Sequence, residues 1–146
     1  MCQMYHNLYG LRTITLRYFN VYGDRQPLKG QHAPVIGLFL EQAKRGEPLT
    51  IVGDGLQRRD FTHVSDVVQA NMDAMMCNFS GIEVNIGTGT NHSVQDIANM
   101  ISDNQKFIPS REGEARDTLA MIYKAAVALN WFPRVKLEDY IASITK

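Results

Sequence analysis

The sequence predicts an α/β protein, and three observations predict it. Apolar residues recur at helical spacing in six segments, short β-branched runs lie between them, and turn signals fall every ten to fifteen residues. No internal repeat, low-complexity tract or long linker interrupts the pattern, so residues 1–146 read as a single compact unit.

Met1, Met4, Tyr5 and Leu8 place the start of the chain inside a helix that Gly10 closes. Arg12 to Phe19 alternates β-branched and larger residues and reads as a strand running into Asn20-Val21-Tyr22-Gly23. Pro34 starts a second helix as its first residue, with Val35, Leu38, Phe39, Gln42 and Ala43 as its apolar stripe and Gly46 as its stop. Leu49-Thr50-Ile51-Val52 is a short strand ended by the turn Gly53-Asp54-Gly55. Val64, Val67, Val68, Met72, Met75 and Met76 follow helical spacing up to Gly81, and Val84-Asn85-Ile86 is another strand. Ser93 with Asp96 forms a capping-box start for a helix through Val94, Ile97, Ala98 and Ile101. Ile122 to Asn130 and Leu137 to Ile144 complete the helices.

Composition excludes several classes. Fifteen Lys plus Arg balance fifteen Asp plus Glu, and the cations are scattered, so nucleic acid and anionic membranes are not expected partners. No apolar run approaches the ~20 residues a membrane span requires. Only Cys2 and Cys77 occur, without CxxC spacing or an export signal, which makes a reducing cytoplasmic compartment the expectation.

Isolated motifs carry less. The run Gly87-Thr88-Gly89-Thr90-Asn91-His92 lacks the third glycine of a dinucleotide fingerprint and reads as a strand-to-helix turn that lets backbone approach something closely. His6, His32, His63 and His92 have no metal-ligand spacing. Arg58-Arg59 and Arg111 lie on loops where guanidinium groups either bind phosphate or are solvated surface charges.

Several spaced motifs taken together say more. Leu16 to Gly23 (LRYFNVYG), Gly46 to Gly55 (GEPLTIVGDG) and Arg59 to Val68 (RDFTHVSDVV) resemble the extended short-chain dehydrogenase/reductase family, in the order and spacing of UDP-glucose 4-epimerase-like members. Asn85 to Gly89, Arg111 to Arg116 and Leu129 to Pro133 extend the resemblance over essentially the whole chain. It implies the C-terminal remnant of a Rossmann-type NAD-binding fold in residues 1–23 and 82–103, joined to a small α/β substrate-binding region in 24–81 and 104–146. It also implies roles: Tyr18 and Phe19 beside the nicotinamide of NAD, and Asn20 reaching the sugar diphosphate. Thr50, Ile51 and Val52 would hold uracil, Arg59 and Arg111 would clamp the phosphates, and Glu114 would bond the ribose. Asp24, Arg58 and Met121 depart from the usual proline, threonine and aspartate, and the connection through 102–109 looks short.

The family's Tyr-x-x-x-Lys pair would precede Met1, and no tyrosine here has a lysine four residues on. With the glycine-rich NAD turn also missing, NAD binding by this chain alone is doubtful and no catalytic residue is assigned. The expectation is the UDP-sugar-binding portion of an NAD-dependent 4-epimerase. One half of a split epimerase, a 4,6-dehydratase or decarboxylase fragment, and a non-catalytic binding or assembly module remain open. Two orphaned sheet strands with bare edges predict pairing with a second copy or with a complementing N-terminal chain.

Overall fold

The computed structural model describes residues 1–28, 33–110 and 113–145 and has the expected mixed α/β architecture. The order is α1 (Cys2–Tyr9), β1 (Ile14–Tyr18), β2 (Val21–Tyr22), α2 (Val35–Lys44), β3 (Leu49–Val52), β4 (Arg58–Asp60), β5 (Thr62–His63) and α3 (Val64–Met76). Then follow β6 (Ile82–Ile86), β7 (Asn91–Ser93), α4 (Val94–Ile101), β8 (Gln105–Ile108), α5 (Tyr123–Leu129) and α6 (Leu137–Ile144). Gly10 caps α1 in the left-handed conformation, and Ser93 and Asp96 form the reciprocal capping box of α4. Five strands, β2, β4, β5, β7 and β8, go beyond the sequence expectation: four have only two or three residues, and β8, unlike the β-branched run of β3, has a polar start, Gln105-Lys106. One of them, β8, occupies the connection expected to be short.

The strands form four pairs: β1 with β6, β2 with β5 and β3 with β8 run parallel, and β4 with β7 antiparallel. Two apolar clusters cover them. One joins Ile36 and Phe39 of α2, Leu49 and Ile51 of β3, Ile97 of α4 and Ile141 of α6. The other joins Val67 and Ala70 of α3, Val84 and Ile86 of β6, Ala125 and Leu129 of α5, and Trp131. Helix α4 packs with the first cluster, and α3 and α5 pack with β6 in the second.

Two apolar stripes are also corrected. In α2, Ile36 and Phe39 enter the core, while Val35 and Leu38 line a cleft. Pro34 sits at the N-cap, one position before the start expected of it. In α3 the buried face is Asp66, Val67 and Ala70, whereas Met75 and Met76 are 77% and 83% exposed. At 100° per residue, Val68 and Met72 fall on a face turned away from Val67 and Ala70, while Met75 borders β1. Cys77, not Gly81, caps α3; Gly81 instead turns the chain into β6, its amide donating to the Thr13 carbonyl at 2.7 Å. Asp66 ties this region to the C-terminal segment: its carboxylate accepts from the Arg134 and Val135 amides, and its carbonyl from the Trp131 indole at 2.9 Å.

Candidate functional site

A cleft of about 420 Å³ opens between α2, β3, β4 and the segment around Glu114. Its walls include Asn20, Val35, Leu38, Thr50, Val52, Gln57, Arg59, Phe61 and Glu114. The two-residue period of β4 sets its electrostatics. Arg59 faces the cleft, while Arg58 on the opposite face donates from Nε to Asn91 Oδ1 at 2.8 Å and lies 3.7 Å from Asp96. Of the two adjacent arginines, then, only Arg59 is available to a ligand in the cleft. Its Nη1 donates to the Arg58 carbonyl at 2.8 Å, and its Nη2 to Glu114 Oε1 at 3.2 Å. The guanidinium is thus aimed before any ligand arrives.

Asp60 fixes this geometry from behind. Its side chain is fully buried and accepts from the Thr88 amide and hydroxyl at 2.7 and 2.8 Å, the Gly89 amide at 2.9 Å and the Ala120 amide at 3.1 Å. Its carbonyl accepts from Asn20 Nδ2 at 3.1 Å, which holds Asn20 at the rim beside Arg59. The Gly87-Thr88-Gly89 turn is therefore a seat for a buried carboxylate, and a Cβ at Gly87 would overlap Ala120.

The β3 edge supplies a different kind of recognition. Leu49 and Gly53 donate to the 104–108 segment, so in this parallel ladder the backbone of Ile51 also points toward β8, and that of Thr50 and Val52 toward the opposite side. There Gln42 Oε1 accepts from the Thr50 amide at 3.1 Å, and Gln57 Nε2 donates to the Val52 carbonyl at 3.0 Å. The Thr50 carbonyl and Val52 amide lie between these contacts on the same edge. Ile51 corrects the sequence expectation: its side chain is fully buried in the core and its backbone is committed to β8, so it does not reach the cleft.

Beyond the rim, Asp54 in the turn after β3 accepts from Arg116 Nη1 and Nη2, both at 2.8 Å. The Arg116 hydrogen bond is the main reason the Asp54 carboxyl falls to about 2, and the same pairing raises Arg116. Backbone bonds to Ser93 lower the capping carboxylate Asp96. Burial, with Asp66 as the next contributor, pushes the Tyr22 hydroxyl upward.

The site residues expected from sequence thus divide into groups. Asn20, Thr50, Val52, Arg59 and Glu114 meet at one cleft, and Arg111 lies outside the described residues. Tyr18 and Phe19 sit elsewhere, at the end of β1. Tyr18 donates to Asn71 Oδ1 at 2.9 Å and lines a groove along the outer edge of β1 with Arg12, Leu16 and Met75. Those residues do not fit a dinucleotide by themselves: the groove is an open strand edge without a glycine turn, and its one cation, Arg12, already donates to the Cys77 carbonyl. Val35, Leu38, Gln57 and Phe61 were not foreseen as cleft residues. The surplus apolar positions at the start of α2 were the available signal, and Gln57 gave none.

Residues 1–87 match the family described as NAD dependent epimerase/dehydratase. The chain is 37% identical to a putative UDP-glucose 4-epimerase of Methanocaldococcus jannaschii, over 97% of this chain and 47% of that protein. It is equally similar to a UDP-glucose 4-epimerase from Thermotoga maritima, solved with UDP-glucose: TM-score 0.89, 37% identity, 98% of this chain and 49% of the other. A UDP-glucuronic acid 4-epimerase from Bacillus cereus, solved with UDP-glucuronic acid and NAD, gives TM-score 0.87 and 33% identity over 99% of this chain and 47% of that one. The chain spans about half the length of the curated relatives it matches.

Proposed function

Because the chain belongs to the NAD dependent epimerase/dehydratase family, we propose that it is the nucleotide-sugar-binding portion of a sugar-nucleotide 4-epimerase, with a UDP-sugar taken in the cleft between α2, β3 and β4. The observation that carries this reading is the meeting of Arg59 and Asn20 with the Thr50 and Val52 backbone edge at one cleft. A strand edge offering one carbonyl and one amide complements a planar imide such as uracil, and a guanidinium 15% exposed complements a diphosphate. Val35 and Leu38 supply apolar contact for the base.

Relatives of both epimerase and decarboxylase description match this chain, and epimerase is favoured because the Arg17 to Asn20 and Arg59 to Phe61 motifs resemble epimerases. The role given to these residues is binding and orientation. The hydride chemistry needs a Tyr-x-x-x-Lys pair that these 146 residues do not contain. We assign that pair and most of the NAD site to sequence outside these 146 residues. What supports this is β1, which is paired only with β6 among the described residues, and a parallel sheet of two strands lacks the burial such sheets need. Self-association through the same edge is the competing arrangement. The exposed thiol of Cys2 fits a cytoplasmic setting.

Calorimetry of the chain with UDP tests the binding reading. Saturable one-to-one binding that Arg59→Met weakens roughly tenfold or more is expected. Binding that Arg59→Met leaves unchanged would remove the cleft from consideration.

A further inference from the structure

The Asp54–Arg116 pair stands outside the cleft, yet it joins the two segments that form its polar rim. Asp54 occupies the turn between β3 and β4, where Gly53 and Gly55 adopt φ of 64° and 71° and the Leu56 amide donates to Asp54 Oδ1 at 3.0 Å. The carboxylate is therefore already oriented when it meets both terminal nitrogens of Arg116 at 2.8 Å. Arg116 lies two residues after Glu114. On its C-terminal side the chain is stitched to β4: the Arg58 amide donates to the Arg116 carbonyl at 2.9 Å, and the Thr118 amide to the Arg58 carbonyl at 3.1 Å.

The backbone bonds and the two-pronged ion pair together anchor the chain two residues after Glu114, which reaches Arg59 at 3.2 Å. A smaller cavity of about 330 Å³ runs beneath this arrangement and shares Val52, Gln57 and Glu114 with the main cleft. The side chains of Arg116 and Asp54 are 63% and 52% exposed, and pairs so exposed add little to stability. Their bidentate geometry instead restricts where the Glu114 backbone can go.

We propose that Asp54 and Arg116 are positioning residues for nucleotide binding: without touching the ligand, they hold Glu114 at the mouth of the cleft, within reach of Arg59. This rests on the reading of the cleft as a nucleotide-diphosphate site. While Glu114 is held there, Arg59 keeps one extended orientation, and an arriving diphosphate meets a guanidinium already aimed. The depressed carboxyl of Asp54 means that the tether stays charged throughout the neutral and mildly acidic range.

A charge-swap cycle read by UDP calorimetry decides the matter. Asp54→Arg and Arg116→Asp, made singly, should each weaken UDP binding roughly three- to fivefold, and the double variant should regain most of the loss. The melting temperature should move little in any of them, and the difference between single variants and wild type should shrink in 1 M salt. Single variants that bind UDP like the wild type, or a double variant no better than either single one, would overturn the tether while leaving the nucleotide site intact. A folded wild type that does not bind UDP would overturn both.

Discussion

The two apolar clusters of this molecule end very differently. Around α2, β3, α4 and α6 the large apolar side chains close on one another: Ile36, Phe39, Leu49, Ile51 and Ile97 are fully buried. Around β1 and β6 the cluster is open. Helix α1 buries no residue at all, and Met72, Met75 and Met76 of α3 are each more than half exposed. The closed region carries the cleft, and the open region carries the strand edge and Tyr18. A binding site with its own core can hold its shape alone, whereas a sheet end exposing apolar surface on this scale is built to be covered.

Breaking the closed region should produce the largest effects. Asp60→Ala leaves the Thr88, Gly89 and Ala120 amides facing an apolar void, so a loss of about 4 kcal/mol is expected in denaturant melts, together with loss of UDP binding. Ile51→Ala should cost about 3 kcal/mol by the same assay, because the site cannot collapse around the missing methylenes. Ser93→Ala removes the side-chain cap of α4 and should cost about 1 kcal/mol. On the open side, Met75→Glu with Met76→Lys should change stability by less than about 0.5 kcal/mol, since neither side chain is packed. The same pair should abolish association measured by light scattering. Association that survives it would move the interface away from α3.

The pH dependence follows from the lowered carboxylates. Asp54 and Asp96 both have folded-state pKa values below their unfolded ones, so their contributions are fully present above about pH 4. They are lost as pH falls through the folded values, near 2 for Asp54. Thermal melts across pH 8 to 5 should therefore show no change that Asp96→Asn alters, and melts between pH 4 and 2 should show the wild type converging on that variant, whereas Asp54→Asn, in so exposed a pair, should leave the melts almost unmoved.

What the sequence made legible was local. The capping box at Ser93 and Asp96, the four-residue strand β3 and the glycine stop of α1 each rest on residues within a few positions of one another. The approach of backbone to another group at Gly87 was legible too, although its partner, Asp60, lies 27 residues away. Long-range pairings left no such trace: the Asp54–Arg116 bond spans 62 residues and the Asp60–Ala120 bond 60. The apolar spacing of α3 was misjudged because periodicity marks an apolar face without saying what covers it. Ile51 was misassigned for a related reason, since a motif names consecutive residues while a strand presents alternate ones.

Amide hydrogen exchange of the isolated chain, with and without UDP, tests the contrast between the two regions most directly. The account predicts strong protection in α2, β3 and α4, further slowed around β3 and β4 by UDP, beside weak protection in α1, β1 and the outer turns of α3 that UDP leaves unchanged. Uniform protection across both regions, or a UDP effect centred on β1, would contradict it.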